Sequence, residues 1–516
     1  MREYHNPILP GFNPDPSICR HEGDYYLSTS SFWYYPMLPI YHSRDLINWT
    51  LVNHAIKSEK QGYRIEEGCR NGIFAPTLRY NEALEKYFIV SCYNDPKYPD
   101  RRAFMISADS PEKDWSAPVF LNSECCDPSL FFDNDNRTYV QYITDLQDNV
   151  YQYEIDSETG KALSPSIAIW AGTGGRRLEA PHIYHIGKYY YLIAAEGGTE
   201  TGHYISIARS DNVNGPFESC PSNPILTHRD RKAEYSPIQC VGHGDLIQAP
   251  DSKWWLVCLA IRPIGPHGSK KEVFPLGRET FLAPVEWSID GWPIVKNPGN
   301  PDGTLSLITR PEREMPGQMN NASWHDDFTD EQLDINWYFL RTPQTQFWDL
   351  HEKPGYLKLT GMPVRMGDWS SPALICRRQK DFDFNLIARM FFHPLHENDE
   401  AGLLVFSNDD RHYEIGIKKH EGKNLLFLRR TVLNISEEKI LSDWQSDEIF
   451  LSLNGDRDKY LFKYGNTQEN LVDAGTGTTT LIIHPWTGNH FGPYAVSEKQ
   501  TAVYFDWIRY TALKKS

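Results

Sequence analysis

Three carboxylate residues stand at the heads of short, proline-marked segments, and together they could hydrolyse a glycosidic bond. Asp15, Asp127 and Glu179 each lie one or two residues before a proline. Glycoside hydrolysis needs a protonated carboxyl group for the leaving oxygen and an ionised one that acts as base or nucleophile. A third carboxylate is useful because its charge raises the pKa of the acid. Alternatively, all three are turn residues that accept backbone N–H groups. We expect that turn role for Asp133, Asp135 and Asp245.

Asp15 is bracketed by Pro14 and Pro16. A proline fixes its own φ at about −65° and disfavours the helical region for the residue before it. We therefore expect Asp15 to be held in an extended conformation. Taken alone, the segment is also typical of a solvent-facing turn, because Asn, Asp and Pro are frequent turn residues.

A turn-like segment followed by two apolar strands occurs five times in the first part of the chain. The copies begin at residues 15, 75, 127, 180 and 244. A repeat of about fifty residues with several short strands is typical of a β-propeller blade, and five copies predict five blades over residues 1–296. The innermost strands of such a fold begin at one rim of the central channel. The three carboxylates are therefore expected to converge there.

The second part of the chain has a different pattern. Residues 297–323 are rich in Pro and Gly, and we interpret them as a linker. Residues 324–516 contain alternating strands without a helical period, which predicts a β-sandwich of the jelly-roll, concanavalin-like type. The predicted fold class is therefore all-β, a propeller followed by a sandwich.

Composition excludes several classes of partner. The formal charge is −16, with 68 acidic and 52 basic residues, which argues against nucleic acid and anionic membranes. No apolar run reaches the ~20 residues of a membrane span. The aromatic content of 13% fits a neutral, hydroxyl-rich ligand such as an oligosaccharide. The sequence leaves homo-oligomerisation open.

The cysteines and histidines do not indicate a metal site. Nine cysteines without metal-binding spacing favour reduced thiols. The N-terminus has no apolar signal segment, so we expect a cytoplasmic protein. His182 and His185 lie three positions apart on a predicted strand, so their side chains point to opposite faces. No metal ligand is therefore predicted.

The segments around the three carboxylates resemble the catalytic motifs of glycoside hydrolase family 43. The matching segments are residues 13–17, 127–133 and 179–184, with further likeness at 196–199 and 277–281. The likeness covers essentially the whole chain and is strongest to the two-domain β-xylosidase/α-L-arabinofuranosidase group. It implies an inverting enzyme with Asp15 as general base and Glu179 as general acid. Asp127 would raise the pKa of that acid and orient it.

The resemblance also implies a sugar-binding site. Arg278 would hydrogen-bond sugar hydroxyls and balance the acidic cluster, and His243 would lie below the sugar. The sandwich would pack against the active-site face, and one of its aromatic residues would close the pocket. The remaining implied substrate-binding residues are Phe32, Phe74, Ala75, Thr199 and, from the sandwich, Trp486. For Phe32 and Phe74, a role as plain core aromatics stays open.

We predict an exo-acting glycosidase that releases xylose or arabinofuranose from xylo-oligosaccharides or arabinoxylan fragments by inversion. Phe74, Thr77, Cys126 and Ala180 depart from the usual family pattern, and these departures leave the preferred sugar open. One alternative is a related specificity such as an arabinanase. Another is a carbohydrate-binding propeller without catalysis. No cofactor is expected because water is the nucleophile, and a structural Ca²⁺ is compatible with the sequence although no pattern indicates one.

Overall fold

The computed structural model describes residues 3–58, 61, 72–94, 102–144, 147–229, 236–264, 273–296, 304–311, 315–319 and 323–513. These residues form strands, turns and loops, and Thr479–Leu481 form a short 3-10 helix. None of the described segments is a helix that could cross a membrane. The chain divides into two compact units. The first contains the described residues up to Pro263 and those within Arg278–Met319, and the second contains Ile264, residues 273–277 and residues 323–513.

Five antiparallel sheets, each with its strands in chain order, confirm the predicted five-bladed propeller. A further short strand is Tyr34–Tyr35. The blades are numbered in chain order, and their strands are given from the innermost outward. Blade 1 contains Ser17–His21, Asp24–Ser28, Met37–Ser43 and Thr50–Ile56; blade 2 contains Ile73–Asn81, Lys86–Tyr93, Arg102–Ala108 and Val119–Glu124; and blade 3 contains Cys126–Phe132, Thr138–Thr144, Gln147–Ile155 and Ile167–Trp170. Blade 4 contains Glu179–Ile186, Tyr189–Glu196, Tyr204–Ser210, Glu218–Ser219 and Leu226–Thr227, and blade 5 contains Gln239–Gln248, Trp254–Ile261, Glu279–Trp287 and Pro293–Val295.

The hydrophobic core of the propeller lies between neighbouring blades. Phe88 and Val90 of blade 2 share one cluster with Leu130 and Val140 of blade 3. Similar clusters join blades 3 and 4, blades 4 and 5, and blades 5 and 1. Both faces of a blade are thus covered, which explains the near-continuous apolar runs in these strands.

The N-terminal segment adds to the last blade. Tyr4–His5 pairs with Ile308–Thr309, and the side chain of Asn6 exchanges two hydrogen bonds of 2.9 Å with the backbone of Leu282. Leu305 is buried in the core shared by blades 4 and 5. The described part of residues 304–319, predicted as linker, therefore packs within the first unit. Conversely, Ile264 and residues 273–277 fall within the predicted propeller range but belong to the second unit.

The second unit is a β-sandwich. In one sheet the strand order is Trp348–Asp349, Leu357–Thr360, Ala502–Ala512, Phe384–Phe391, Glu448–Gly455, Lys459–Gly465 and Val472–Thr478, with Trp324–Asp326 also paired to Ala502–Ala512. In the other sheet the order is Ile435–Asp443, Lys423–Val432, Arg411–His420, Glu400–Asn408, His490–Val496, Ala373–Arg378 and Tyr338–Leu340. Both orders place strands that are distant in sequence side by side.

Aromatic rings fill the space between the two sheets of the sandwich. Phe384 and Tyr510 of one sheet stack on Phe491 of the other, with ring centres 5.3 and 5.2 Å apart. All three side chains are buried. These rings form part of the core between the two sheets.

Candidate active site

The five repeat heads share an unusual backbone conformation. Asp15, Ala75, Asp127, Ala180 and His243 have φ values of 54°, 41°, 45°, 51° and 47°. A left-handed φ costs a residue with a Cβ about 1–2 kcal/mol. Because it recurs at five equivalent positions, this conformation is a regular part of the propeller. In blades 2 to 5 the innermost strand also shifts register at this point, as at a β-bulge. Such irregularities redirect side chains, here at the same end of every innermost strand.

The conformation of Asp15 differs from the sequence prediction. Its φ of 54° is left-handed, so the expectation of an extended residue was wrong. The preference imposed by Pro16 is local, whereas the conformation also depends on the contacts that the carboxylate makes. Asp15 accepts hydrogen bonds of 2.6 Å from the Ser30 hydroxyl and 2.9 Å from the Arg278 guanidinium. These bonds offset the backbone strain.

The carboxylate of Asp15 is held in its ionised form. Burial alone would raise the pKa of Asp15, but the charges of Arg278 and His243 and the hydrogen bond from Ser30 outweigh it and lower the pKa below its ordinary value. The Arg278 guanidinium reaches both carboxylate oxygens, at 2.9 and 3.4 Å. An ionised, buried carboxylate can accept a proton near neutral pH but cannot supply one.

His243 brings two of the predicted carboxylates together. Its Nδ1 lies 3.5 Å from Asp15 Oδ1 and 3.9 Å from Asp127 Oδ2. Cys126 Sγ approaches Asp127 Oδ1 at 3.4 Å. Asp15, Asp127 and His243 come from blades 1, 3 and 5, so the predicted convergence at the rim is confirmed for them.

Glu179 begins the innermost strand of blade 4. It pairs with Ala195 and directly precedes the rim residue Ala180. Phe74 and Cys126 hold the same position before Ala75 and Asp127 in their blades. The side chain of Glu179 is half-buried. The fold therefore places Glu179 at the same end of its innermost strand as Asp127 in blade 3.

Further predicted residues surround Arg278. Its guanidinium lies 5.5 Å from the ring centre of Phe32 and donates to the hydroxyl of Thr199 at 3.5 Å. Phe32 meets Phe74 with ring centres 4.8 Å apart and perpendicular planes. The backbone N–H of Ala75 donates to Ser30 at 2.7 Å, so Ala75 joins the same network through its backbone.

Trp486 is the one predicted site residue that belongs to the sandwich. It lies in the loop between Thr479–Leu481 and His490–Val496, and 38% of its surface is exposed. Its backbone N–H contacts His484 Nδ1 at 3.2 Å. Its role in closing a sugar pocket stays a prediction.

Comparison with known proteins agrees with this geometry. The model of Glycosyl hydrolases family 43 matches residues 4–293, and that of the beta xylosidase C-terminal Concanavalin A-like domain matches residues 325–511. The chain belongs to glycosyl hydrolase family 43. It is therefore a glycoside hydrolase, and its two matched regions correspond to the propeller and the sandwich.

Individual family 43 proteins match over nearly the whole chain. The non-reducing end alpha-L-arabinofuranosidase BoGH43B of Bacteroides ovatus is 36% identical, with 99% of this chain and 96% of that protein covered. A xylosidase/arabinosidase of Butyrivibrio fibrisolvens is also 36% identical, with 81% and 80% covered. A solved structure of the Bacteroides ovatus xyloglucan PUL GH43B protein superposes with a TM-score of 0.89 at 35% identity, covering 99% of this chain and all of that one.

Two buried side chains near Asp15 and Arg278 in this family 43 site were not identified in the sequence. Ser30 links Asp15 to the backbone of the next blade, and the polar run at residues 28–31 was its only signal. His203 is buried, and its Nδ1–H donates to the carbonyl oxygen of Cys240 at 3.1 Å. Burial lowers the pKa of His203 to about 4, so this ring is neutral near pH 7.

The family 43 propeller also contains a buried ion pair in its channel. Asp245 is fully buried and accepts hydrogen bonds of 2.8 and 3.0 Å from the Arg79 guanidinium. Ser17 donates to the same carboxylate at 2.8 Å, and Tyr184 also donates to it. Asp245 does accept a backbone N–H, that of Ile18 at 3.0 Å, but the prediction of a turn was wrong, because Asp245 lies within the strand Gln239–Gln248 and pairs with a cation from another blade. Asp135 does accept a backbone N–H in a turn, that of Arg137.

The described residues contain no group of three or more His, Cys, Asp or Glu side chains that could hold a metal ion. The eight cysteines among them are buried. The carboxylates at the channel rim support proton transfer between carboxyl groups, a sugar and water.

Proposed function

We propose that the chain is an exo-acting, inverting glycosidase that releases arabinofuranose or xylose residues from the ends of short plant cell-wall oligosaccharides. The observation that carries the proposal is the ionised Asp15, held by Arg278 and Ser30 while Glu179 stands on another blade. One carboxylate is thus prepared as a base, and a separate carboxyl group is available as the acid.

In the proposed step, Asp15 accepts a proton from water as the water oxygen attacks the anomeric carbon. The bond from that carbon to the leaving oxygen breaks, and Glu179 gives its proton to that oxygen. Inversion needs a gap of roughly 6.5–9.5 Å between acid and base, which leaves room for the water. Afterwards Asp15 is protonated and Glu179 is ionised, and proton exchange with solvent restores both. No cofactor takes part.

The surroundings of Arg278 support recognition of a single terminal sugar. Its guanidinium binds Asp15 and contacts Thr199, and the rings of Phe32 and Phe74 form an apolar wall beside it. Sugar rings combine apolar faces with hydroxyl edges, and such a wall with polar partners suits them. The names of the relatives support arabinofuranose and xylose as the sugars.

A substrate panel tests the proposal. Wild type, Glu179→Gln and Glu218→Gln are assayed on aryl xylosides, aryl arabinofuranosides, the matching oligosaccharides and polymeric arabinan. Glu179→Gln should lower kcat on oligosaccharides by about 10²–10⁴-fold, because the leaving oxygen loses its proton donor. Glu218 is exposed on an outer strand of the same blade, so its variant should match wild type.

Two outcomes would contradict the proposal. The first product, observed by NMR before it mutarotates, should have the inverted anomeric configuration, and a retained anomer would exclude the single-step mechanism. Full activity of Glu179→Gln on oligosaccharides would remove it as the acid. Preference for polymeric arabinan over aryl glycosides would instead indicate an arabinanase.

A further inference from the structure

Glu196 is a buried carboxylate next to the general acid. It ends the strand Tyr189–Glu196, one residue after Ala195, the residue that pairs with Glu179. Its side chain has no exposed surface. Within the described part of the chain, no Lys, Arg or His nitrogen forms an ion pair with it. A buried charge without a cation must be stabilised by hydrogen-bond donors.

The donors to Glu196 come from two places. Tyr204 and Ser206 lie on the neighbouring strand and donate through their hydroxyls at 3.1 and 2.5 Å. The backbone N–H groups of Thr173 and Gly175 donate at 3.0 and 2.8 Å, and the Thr173 hydroxyl donates at 3.0 Å. The second group belongs to residues 172–178, which lead directly into Glu179. The carboxylate therefore ties this segment to the blade.

The segment is fitted closely around the carboxylate. A Cβ added to Gly175 would lie 2.1 Å from Tyr204 Oη and 2.9 Å from Glu196 Cβ, and one added to Gly172 would lie 3.0 Å from Glu196 Oε2. The segment is also bound through its backbone at Arg176, whose carbonyl oxygen accepts a hydrogen bond from the N–H of Gly197 at 2.8 Å. The two glycines thus permit an approach that residues with a Cβ would prevent.

The far end of the segment is fixed as well. Leu178 is buried in the core between blades 3 and 4, together with Cys126, the neighbour of Asp127. The chain that enters Glu179 is therefore held by Glu196 on one side and by this core on the other. The backbone pairing with Ala195 fixes the strand that leaves it.

We propose that Glu196 is a positioning residue, which fixes the carboxyl group of Glu179 for proton transfer through residues 172–178. This inference rests on the proposed role of Glu179 as general acid. Glu196 acts through the backbone and does not touch the reacting atoms. The substitution Glu196→Gln replaces one accepting oxygen by an NH₂ group, which faces N–H and O–H donors and loosens the segment.

A series of aryl glycosides with leaving groups of graded pKa tests the inference. A poor leaving group needs the proton of Glu179, whereas a dinitrophenolate leaves without it. A displacement of the acid by 1 Å costs about 10²-fold. In Glu196→Gln, kcat/KM should fall by about 10- to 100-fold for the poorest leaving groups and by less than about threefold for dinitrophenyl glycosides. The plot of log kcat/KM against leaving-group pKa becomes steeper.

Asp399 supplies a matched control in the sandwich. It is 1% exposed and accepts the backbone N–H groups of Leu395 and His396 and the hydroxyls of Ser497 and Thr501. Asp399→Asn should lower stability without changing the slope of that plot. Thr173→Val removes one donor to Glu196 and should steepen the slope less than Glu196→Gln does. If Glu196→Gln does not fold, the inference is tested with Thr173→Val instead.

The two proposals fail in different ways. An unchanged slope in Glu196→Gln and in Thr173→Val, with an equal loss for all leaving groups, would make Glu196 merely structural and overturn this inference. A wild-type protein that is inactive on every aryl glycoside would instead overturn the proposed function.

Discussion

At the scale of single residues, the charge state of Asp15 is the property on which the proposed chemistry depends. Burial works against its ionised form, and Arg278, His243 and the hydrogen bond from Ser30 together reverse that effect. The proposed base is therefore ionised before substrate binds. Arg278 contributes to this charge state, and its contact with a sugar stays a prediction.

Removing the charge of Arg278 should shift the pH dependence of activity. Asp15 must be ionised, so activity is lost as pH falls through its pKa. In Arg278→Gln that pKa rises, and the acid limb of kcat/KM should move to higher pH by about 1–3 units, the usual effect of a charge at this distance. Arg278→Lys keeps the charge and should shift the limb less. The measurement is kcat/KM on an aryl glycoside between about pH 3 and 8. A limb that stays in place in Arg278→Gln would show that Arg278 does not control Asp15.

At the scale of elements, the five rim positions could be predicted from the sequence but their conformation could not. The repeat heads were recognisable because each turn motif precedes an apolar strand. The left-handed φ of Asp15 was missed because the rule for residues before proline is local, whereas its carboxylate is held by residues distant in sequence. Ser30 was missed, and the roles of Glu196 and Asp245 were not recognised, for a related reason. Their partners come from other strands or blades, and no spacing in the sequence marks them.

The pairing of the N-terminal segment with blade 5 leads to a prediction for Asn6. Its side chain forms hydrogen bonds with both the N–H and the C=O of Leu282, as the backbone of a paired strand would. Asn6→Ala leaves a buried N–H without that partner, which should cost about 1–3 kcal/mol and lower the Tm while kcat/KM stays unchanged. Asn134→Ala, at an exposed position, is the control. An equal Tm for both variants would mean that this pairing contributes nothing to stability.

At the scale of the whole propeller, the Asp245–Arg79 pair joins blades across the channel. Tyr184 of blade 4 and Ser17 of blade 1 bind the same carboxylate of blade 5, and Arg79 comes from blade 2. Each inter-blade core connects only two neighbours, whereas this network connects four blades. A buried pair of this kind is costly to break, because the remaining partner is left as an unpaired buried charge.

The buried pair predicts how the propeller responds to acid. Burial opposes ionisation of Asp245, but Arg79 and further hydrogen bonds outweigh it and lower its pKa from 3.8 to about 2. Because the folded pKa lies below the unfolded one, the ionised Asp245 contributes about 2 kcal/mol to the free energy of unfolding above about pH 4, and this contribution is lost as pH falls toward 2.

Asp245→Asn should be less stable by about 3–5 kcal/mol near pH 7 and should lack this acid-dependent part. Hydrogen exchange of peptides from blades 1 and 5 at several pH values measures both effects separately from the sandwich. The double variant Arg79→Met/Asp245→Leu, which leaves no unpaired charge, should recover part of the loss. An equal acid dependence in wild type and Asp245→Asn would show that other carboxylates govern acid unfolding of the propeller.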